Sequence, residues 1–241
     1  MQIKKSSGLL RGKTDKIDSY RIALYASLYA FRAKTAETED KRLLQLQDLL
    51  SSRSRLLKFK LSLSTSIAEL KRVDPASGKI VEKAQKATLA GLTKSLKEIE
   101  KLIKEAIGKD DDIKESYELA TSVKGVGMVL AAQLIVYTHN FKRINTARQL
   151  ACYCGVAPFS YESGTSIRAG NHVSKFANNT LKSTLHLASI SSIQHNPDMK
   201  EYFYRKVAEG KPKMVVLNAV RNKLLRHILA TVKSGEKYEI F

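Results

Sequence analysis

The sequence predicts a mainly α-helical protein, in which a long antiparallel helical hairpin is followed by a compact helical domain. Leucine and isoleucine recur at mixed three- and four-residue spacing through residues 37–72 and again through residues 79–107, which is the period of an amphipathic helix. No stretch has a convincing strand pattern. We therefore expect three parts: residues 1–36, an arm over residues 37–112 that resembles a coiled coil, and a compact domain over residues 113–241.

The composition points to a polyanionic partner. The chain has 42 Lys and Arg against 23 Asp and Glu, a net charge of +19, and 43% of its residues are hydrophobic, enough for a real core. Such a field attracts nucleic acid first and an anionic membrane surface second. No apolar run approaches the length that spans a bilayer, and the start has no secretory signal. We expect a cytoplasmic protein that binds nucleic acid and not a membrane.

The first helix is predicted to begin near Asp15, because Ile22, Tyr25 and Tyr29 then share one face. Asp15 and Asp18 are three residues apart and lie on one face of its first turn. Acidic residues there are favoured by the helix dipole alone. A functional alternative is that the two carboxylates contribute to a Mg²⁺ site, since Mg²⁺ prefers oxygen ligands. The pair by itself is consistent with both interpretations.

The arm is predicted as two helices joined by a turn over Val73–Gly78, where Pro75 and Gly78 both break the helix. It would serve as a spacer or a dimerisation element, with lysines that could contact phosphates. The acidic triplet that begins at Asp110 follows the second helix and is predicted to cap the next one.

The turn Val123–Gly127 is the first candidate nucleic-acid contact. It lies between a helix that ends near Ser122 and one that runs to about Tyr137, and Gly-hydrophobic-Gly between helices is typical of a helix–hairpin–helix motif. Backbone N–H groups at such a turn can bind a phosphate. The predicted contacts are Lys124, Gly125, Val126 and Gly127. The alternative is a tight turn whose glycines serve packing only.

The segment from Gly155 to Lys175 is polar, contains Pro158 and three glycines, and has no apolar period. It lies between predicted helices over residues 147–153 and 176–193, so we expect a loop that a rigid scaffold displays. Gly164 can adopt a positive φ and could present the hydroxyl of Ser163 at a sharp turn. An ordinary surface loop is the alternative.

Two helices complete the predicted domain. The first should bury one face, formed by Leu181, Leu185, Ala188 and Ser192, with His186 as a core or boundary group. The last, over residues 213–233, should point Val216, Ala219, Val220, Leu224, Ile228 and Val232 inward, and Arg221, Lys223 and Arg226 outward.

Three stretches together resemble the IS-one-ten family of insertion-sequence transposases, which are RNA-guided DNA recombinases. They are TSVKGVGMVLAAQLI, GVAPFSYESGTSIRAGNHVSKFANNTLKSTLHLAS and NAVRNKLLRHILA. The resemblance extends over nearly the whole chain. It implies an amino-terminal RuvC-like domain with four acidic residues, a helical arm, and a transposase domain with a catalytic serine.

The resemblance implies roles for particular residues. Asp15 and Asp18 match the final acidic pair and would bind Mg²⁺, while Ser163 matches the serine that would attack a DNA phosphodiester. A serine is a weak nucleophile that needs activation by a metal or a base. The neighbouring hydroxyls Ser160, Thr165 and Ser166 keep the identity of the nucleophile open. From their charge and position, Arg168, Lys175 and Asn178 could steady phosphate oxygens.

The same resemblance implies that the family's other two acidic residues lie on strands earlier in the chain. Only 14 residues precede Asp15 here, and they leave no room for those strands. We therefore expect residues 1–36 to be the carboxy-terminal remnant of a RuvC-like domain, completed by a separate chain or lost by truncation, and recombination to be impaired. The implied partners are DNA, a guide RNA and further copies of the chain as a dimer or tetramer. Two alternative functions are a non-catalytic nucleic-acid-binding module and a RuvC-like metal nuclease fragment.

Overall fold

The computed structural model describes residues 14–32, 40–163, 167–173 and 177–239, and over residues 160–163 and 167–172 it describes the backbone alone. The chain forms two compact units, Met1–Glu39 and Asp40–Phe241. The described residues form nine α-helices and one two-stranded sheet. The mainly α-helical fold class is therefore confirmed. No helix among these residues is long and apolar enough to cross a membrane.

The first unit contains α1 (Asp15–Leu28) and a short 3₁₀ turn, Ala30–Arg32. The helix begins where the sequence predicts it. Thr14 is the N-cap, and its hydroxyl accepts a hydrogen bond from Ile17 N at 3.3 Å.

In the second unit, α2 (Lys41–Val73) and α3 (Pro75–Gly108) pack side by side in opposite directions. Ion pairs join them, with Arg53 Nη2 2.7 Å from Glu100 and Lys71 Nζ 2.6 Å from Glu82.

The predicted six-residue turn between these helices is wrong, because Asp74 alone connects them. Asp74 caps α3 by accepting hydrogen bonds from the backbone N–H groups of Ala76 and Ser77. Pro75 occupies the first position of α3, where a helix has no use for the missing N–H, so proline begins the helix instead of breaking it.

The compact part of the second unit is built around α5. Asp110 caps α4 (Asp111–Ser122) by accepting from Ile113 N at 2.9 Å, as the sequence predicts. α5 (Met128–Thr138) follows, and eight of its eleven side chains are buried. It packs against α2, α4 and α7 (Asn179–His195). A short helix, α6 (Ala147–Tyr153), then leads to the sheet.

The expectation that the chain contains no strand is wrong for the polar segment after α6. β1 (Pro158–Ser163) and β2 (Ile167–Val173) pair antiparallel, with an irregularity between Phe159 and Tyr161. Backbone pairing creates this hairpin, and the alternation of aromatic and polar residues lasts only from Phe159 to Glu162. So short a pattern does not predict a strand.

The remaining helices are α8 (Pro197–Ala208) and α9 (Lys213–Ser234). Leu181, Leu185, Ala188 and Ser192 are all buried, which confirms the predicted face of α7. On α9 most of the predicted inward residues are buried, but Arg221 is only 7% exposed, so its outward orientation is wrong.

Arg221 is buried because α9 packs against α7 at this point. Its Nη2 donates to Nδ1 of His186 at 2.5 Å. Because a guanidinium can only donate, the acceptor nitrogen of His186 is unprotonated and the imidazole is neutral. Burial first, and the charge of Arg221 second, lower the pKa of His186.

The turn before α5 packs closely against α7. Gly125 has φ of +98°, and a Cβ built on it would lie 2.6 Å from both N and Cα of Ser192. Only glycine fits this conformation and this contact. Gly127, two residues later, has nothing within 4 Å of the corresponding position.

The two glycines form a matched pair for substitution. We expect Gly125→Ala to lower the free energy of unfolding by about 3 kcal/mol, because backbone strain and a clash with a helix backbone act together. Gly127→Ala should change it by less than about 1 kcal/mol. Urea unfolding followed by circular dichroism measures both, and equal effects of the two substitutions would contradict the packing described here.

The neutral His186 gives a prediction about pH. Its pKa in the folded chain lies below the ordinary value of 6.5, so the unfolded chain takes up this proton first as the pH falls. The free energy of unfolding therefore decreases below about pH 6.5, and the half-buried His227 acts in the same direction. We expect the urea midpoint to fall between about pH 7.5 and 5.5, and His186→Gln to remove part of that fall.

The control for this experiment is His195→Gln, because His195 is an exposed histidine of the same helix. It should retain the full decrease of the wild type. The glutamine at position 186 can still accept from Arg221, so an undiminished decrease in His186→Gln would show that the buried contact does not control this titration.

Candidate functional site

The β1–β2 hairpin is held at its base by contacts with three helices. Asn178 N donates to the carbonyl of Tyr153 at 2.9 Å, which ties the start of α7 to the end of α6. Asn218 of α9 donates through Nδ2 to the carbonyl of Val156 at 2.9 Å.

Gly155 completes this base. It has φ of +66°, and a Cβ built on it would lie 2.3 Å from Cβ of Ala177. The two ends of the hairpin therefore touch, and the strands extend from a fixed, partly buried base.

Ser163 is the last residue of β1 and pairs with Ile167, the first residue of β2. The preceding pair is Glu162 with Arg168. The structure thus brings the backbone of two predicted site residues, Ser163 and Arg168, to the same end of the hairpin. The roles of both residues stay predictions, as does the identity of the nucleophile among the neighbouring hydroxyl groups.

Several predicted residues fall outside the described part of the chain. Lys175, Gly164, Thr165 and Ser166 lie there, and Ser160 is described by its backbone alone.

Asn178 has a structural contact that its sequence position does not reveal. Its Oδ1 caps α7 by accepting from the N–H groups of Thr180 and Leu181, each at 3.1 Å, and its Nδ2 lies 3.4 Å from the hydroxyl of Tyr153. A phosphate contact by Asn178 stays a prediction. In the described state, its amide oxygen is used by the helix cap.

The four predicted contacts in the turn before α5 differ in accessibility. Lys124 and Gly127 are exposed, and Gly127 begins α5 without a side-chain cap. Val126 is buried, and Gly125 packs against Ser192. A phosphate at this turn would therefore meet Lys124 and the backbone at Gly127. The helix–hairpin–helix assignment stays a prediction.

Asp15 and Asp18 occupy the first turn of α1, in the first unit. Asp18 Oδ1 is 3.4 Å from Arg21 Nη1. Among the described residues no cluster of three or more His, Cys, Asp or Glu side chains could hold a metal ion. Two carboxylates at the start of a helix fit a Mg²⁺ ion that takes its other ligands from water and phosphate.

The chain has two cysteines, Cys152 and Cys154, which come just before the hairpin base, and both are free thiols. Burial raises the pKa of the Cys154 thiol to about 12. Cys154 therefore stays protonated near neutral pH and is no candidate nucleophile.

Sequence reasoning missed a groove between α2, α5 and α7. Two adjacent cavities, of about 540 and 230 Å³, share Leu50, Ser54, Lys58, Gln133 and Thr180 in their walls. We call this the Gln133 groove. The one signal in the sequence was a lone glutamine inside the apolar run MVLAAQLIVYT.

Comparisons with known proteins agree with the resemblance. Residues 117–204 match the model of the family described as Transposase IS116/IS110/IS902 family. An IS110 insertion element protein of 43.6 kDa from Streptomyces coelicolor is 33% identical over 119 residues, which cover 49% of this chain and 29% of that protein.

Two Moraxella proteins, each named pilin gene-inverting protein, also match. The one from Moraxella bovis is 24% identical over 146 residues, covering 60% of this chain and 45% of that protein. The one from Moraxella lacunata is 26% identical over 122 residues, covering 50% and 38%. The chain thus matches less than half the length of each of these relatives. The region that is similar to this transposase family contains the turn before α5, the hairpin and α7.

Proposed function

We propose that this chain acts on DNA as part of a transposase or recombinase of an insertion sequence, with Ser163 as the nucleophile. The observation that carries the proposal is that the family match over residues 117–204 includes Ser163 and the whole hairpin. The names of the Moraxella relatives support it, because inverting a gene requires that DNA strands be cut and rejoined.

DNA binding would be led by the backbone phosphates. The net charge of +19 supplies long-range attraction. Lys124 and the backbone of the exposed Gly127 offer one local contact, and Arg168, one pair along the hairpin from Ser163, offers another. Such contacts do not read base sequence. A guide RNA would recognise the base sequence of the DNA. Further copies of the chain would hold the other DNA segment that takes part in recombination. Both partners follow from the resemblance.

The chemical step would be a transesterification. Ser163 Oγ attacks phosphorus, forming an Oγ–P bond while the bond from phosphorus to one deoxyribose oxygen breaks. The serine proton passes to a base, and the departing oxygen takes up a proton. The phosphoserine keeps the energy of the phosphodiester, so the hydroxyl of another strand can reverse the step and release the enzyme.

Asp15 and Asp18 would hold the Mg²⁺ ion. When bound, the ion would polarise a phosphate oxygen. The part played by this chain is to present the two carboxylates from one helical turn.

A covalent-trapping assay tests the role of Ser163. The chain is mixed with labelled duplex DNA, a candidate flanking RNA and Mg²⁺, and adducts are separated on a denaturing gel. We expect a covalent protein–DNA adduct in the wild type. The amount of adduct should be at least 100-fold lower with Ser163→Ala, because no other group replaces the nucleophile. Ser160→Ala is the matched control and should retain the adduct.

The other outcomes assign different functions. Salt-sensitive binding without an adduct in any variant would indicate a non-catalytic nucleic-acid-binding module. Cleavage that survives Ser163→Ala but is lost with Asp15→Asn and Asp18→Asn would indicate a metal nuclease. Either result contradicts the serine mechanism.

A further inference from the structure

The Gln133 groove is lined by a buried amide whose oxygen has no hydrogen-bond partner. Gln133 is 7% exposed and belongs to α5, whose other buried side chains are apolar except for Thr138. Its Oε1 makes no hydrogen bond. An unbonded buried amide is costly, and rotation of the terminal amide can turn either its donor or its acceptor toward the groove. A ligand with both kinds of group would satisfy it.

The wall formed by α2 carries free positive charge. Arg55 and Lys58 are exposed, lie three residues apart and therefore share one face of the helix. Neither has an ion-pair partner among the described residues, whereas the adjacent Arg53 is paired with Glu100. These two cations favour an anion beside the amide.

The opposite wall is formed by the first turns of α7. Thr180 is exposed there, and the hydroxyls of Ser183 and Thr184 donate to backbone carbonyls at 2.9 and 3.0 Å, so their oxygens can still accept from a ligand. The positive end of the α7 dipole points to this side. Tyr137 lines the adjoining cavity, next to Gln133, and offers an aromatic ring.

We propose that the Gln133 groove seats one nucleotide of a single-stranded nucleic acid. Its phosphate lies against Arg55 and Lys58, and its base or sugar hydrogen-bonds the amide of Gln133 and stacks on Tyr137. Arg55 and Tyr137 line the smaller cavity, of about 230 Å³, and the larger cavity beside it, about 540 Å³, is within the usual range of about 300–1,000 Å³ for small-ligand sites. Aromatic stacking beside cations is the recurring means of binding single strands. The proposal rests on nucleic-acid binding in the proposed function but not on its serine chemistry.

Gln133→Leu and a double variant, Arg55→Gln with Lys58→Gln, test the groove in the full chain. Affinity for fluorescein-labelled single-stranded DNA and RNA 12-mers of the same sequence is measured by fluorescence anisotropy over a range of salt concentrations. The matched control for charge is Lys86→Gln with Lys94→Gln, because both lysines are exposed on α3 and line neither cavity. Thermal unfolding of every variant checks the fold.

We expect Gln133→Leu to weaken binding about tenfold without lowering the melting temperature, because leucine removes an unbonded polar group. The Arg55 and Lys58 double variant should reduce the slope of log K against log salt by about 1, more than the control does. A loss confined to RNA assigns the contact to the ribose 2′-hydroxyl. Equal losses for RNA and DNA assign it to the base.

Three results would overturn the proposal: unchanged affinity in Gln133→Leu, an equal reduction of the slope in the control, or displacement of the oligonucleotide by a glutamate-rich peptide at the same charge concentration. Ser163→Ala should leave this binding unchanged. Failure of the groove and failure of the serine mechanism are therefore separate results.

Discussion

Enclosure of α5 is the constraint on which the rest of the second unit depends. This helix is apolar on almost every side, so it is stable only when α2, α4 and α7 cover it. Close coverage by α7 leaves no room for a side chain at Gly125, which explains the glycine and its positive φ. Gln133, a buried polar side chain inside this apolar helix, lies where the groove opens.

The helices of the second unit also hold the base of the hairpin. At the base, Asn178 is hydrogen-bonded to Tyr153, Val156 accepts a hydrogen bond from α9, and Ala177 packs against Gly155. Ser163 ends β1 at the far end. The proposed nucleophile would therefore lie at the end of a short sheet whose base is held by the helices.

Periodicity in the sequence was sufficient for the helices and for the buried face of α7, because regular apolar spacing reports directly on burial. It was not sufficient where a single contact decides the structure. Pro75 begins a helix at a position where no N–H is needed, directly after the capping residue Asp74. Arg221 is buried where α9 packs against α7, with His186 as its acceptor. The hairpin depends on backbone pairing, which no apolar pattern in the sequence predicts. The groove is formed by residues from three segments that are distant in the sequence.

Hydrogen–deuterium exchange of the full chain tests most directly the claim that the enclosed α5 supports both the hairpin base and the groove. We expect the amides of residues 131–136 to exchange most slowly, at a rate set by unfolding of the whole second unit, and those of β1 and β2 to exchange much faster. Exchange in α5 as fast as in the hairpin would mean that the helix opens locally, and it would contradict the account.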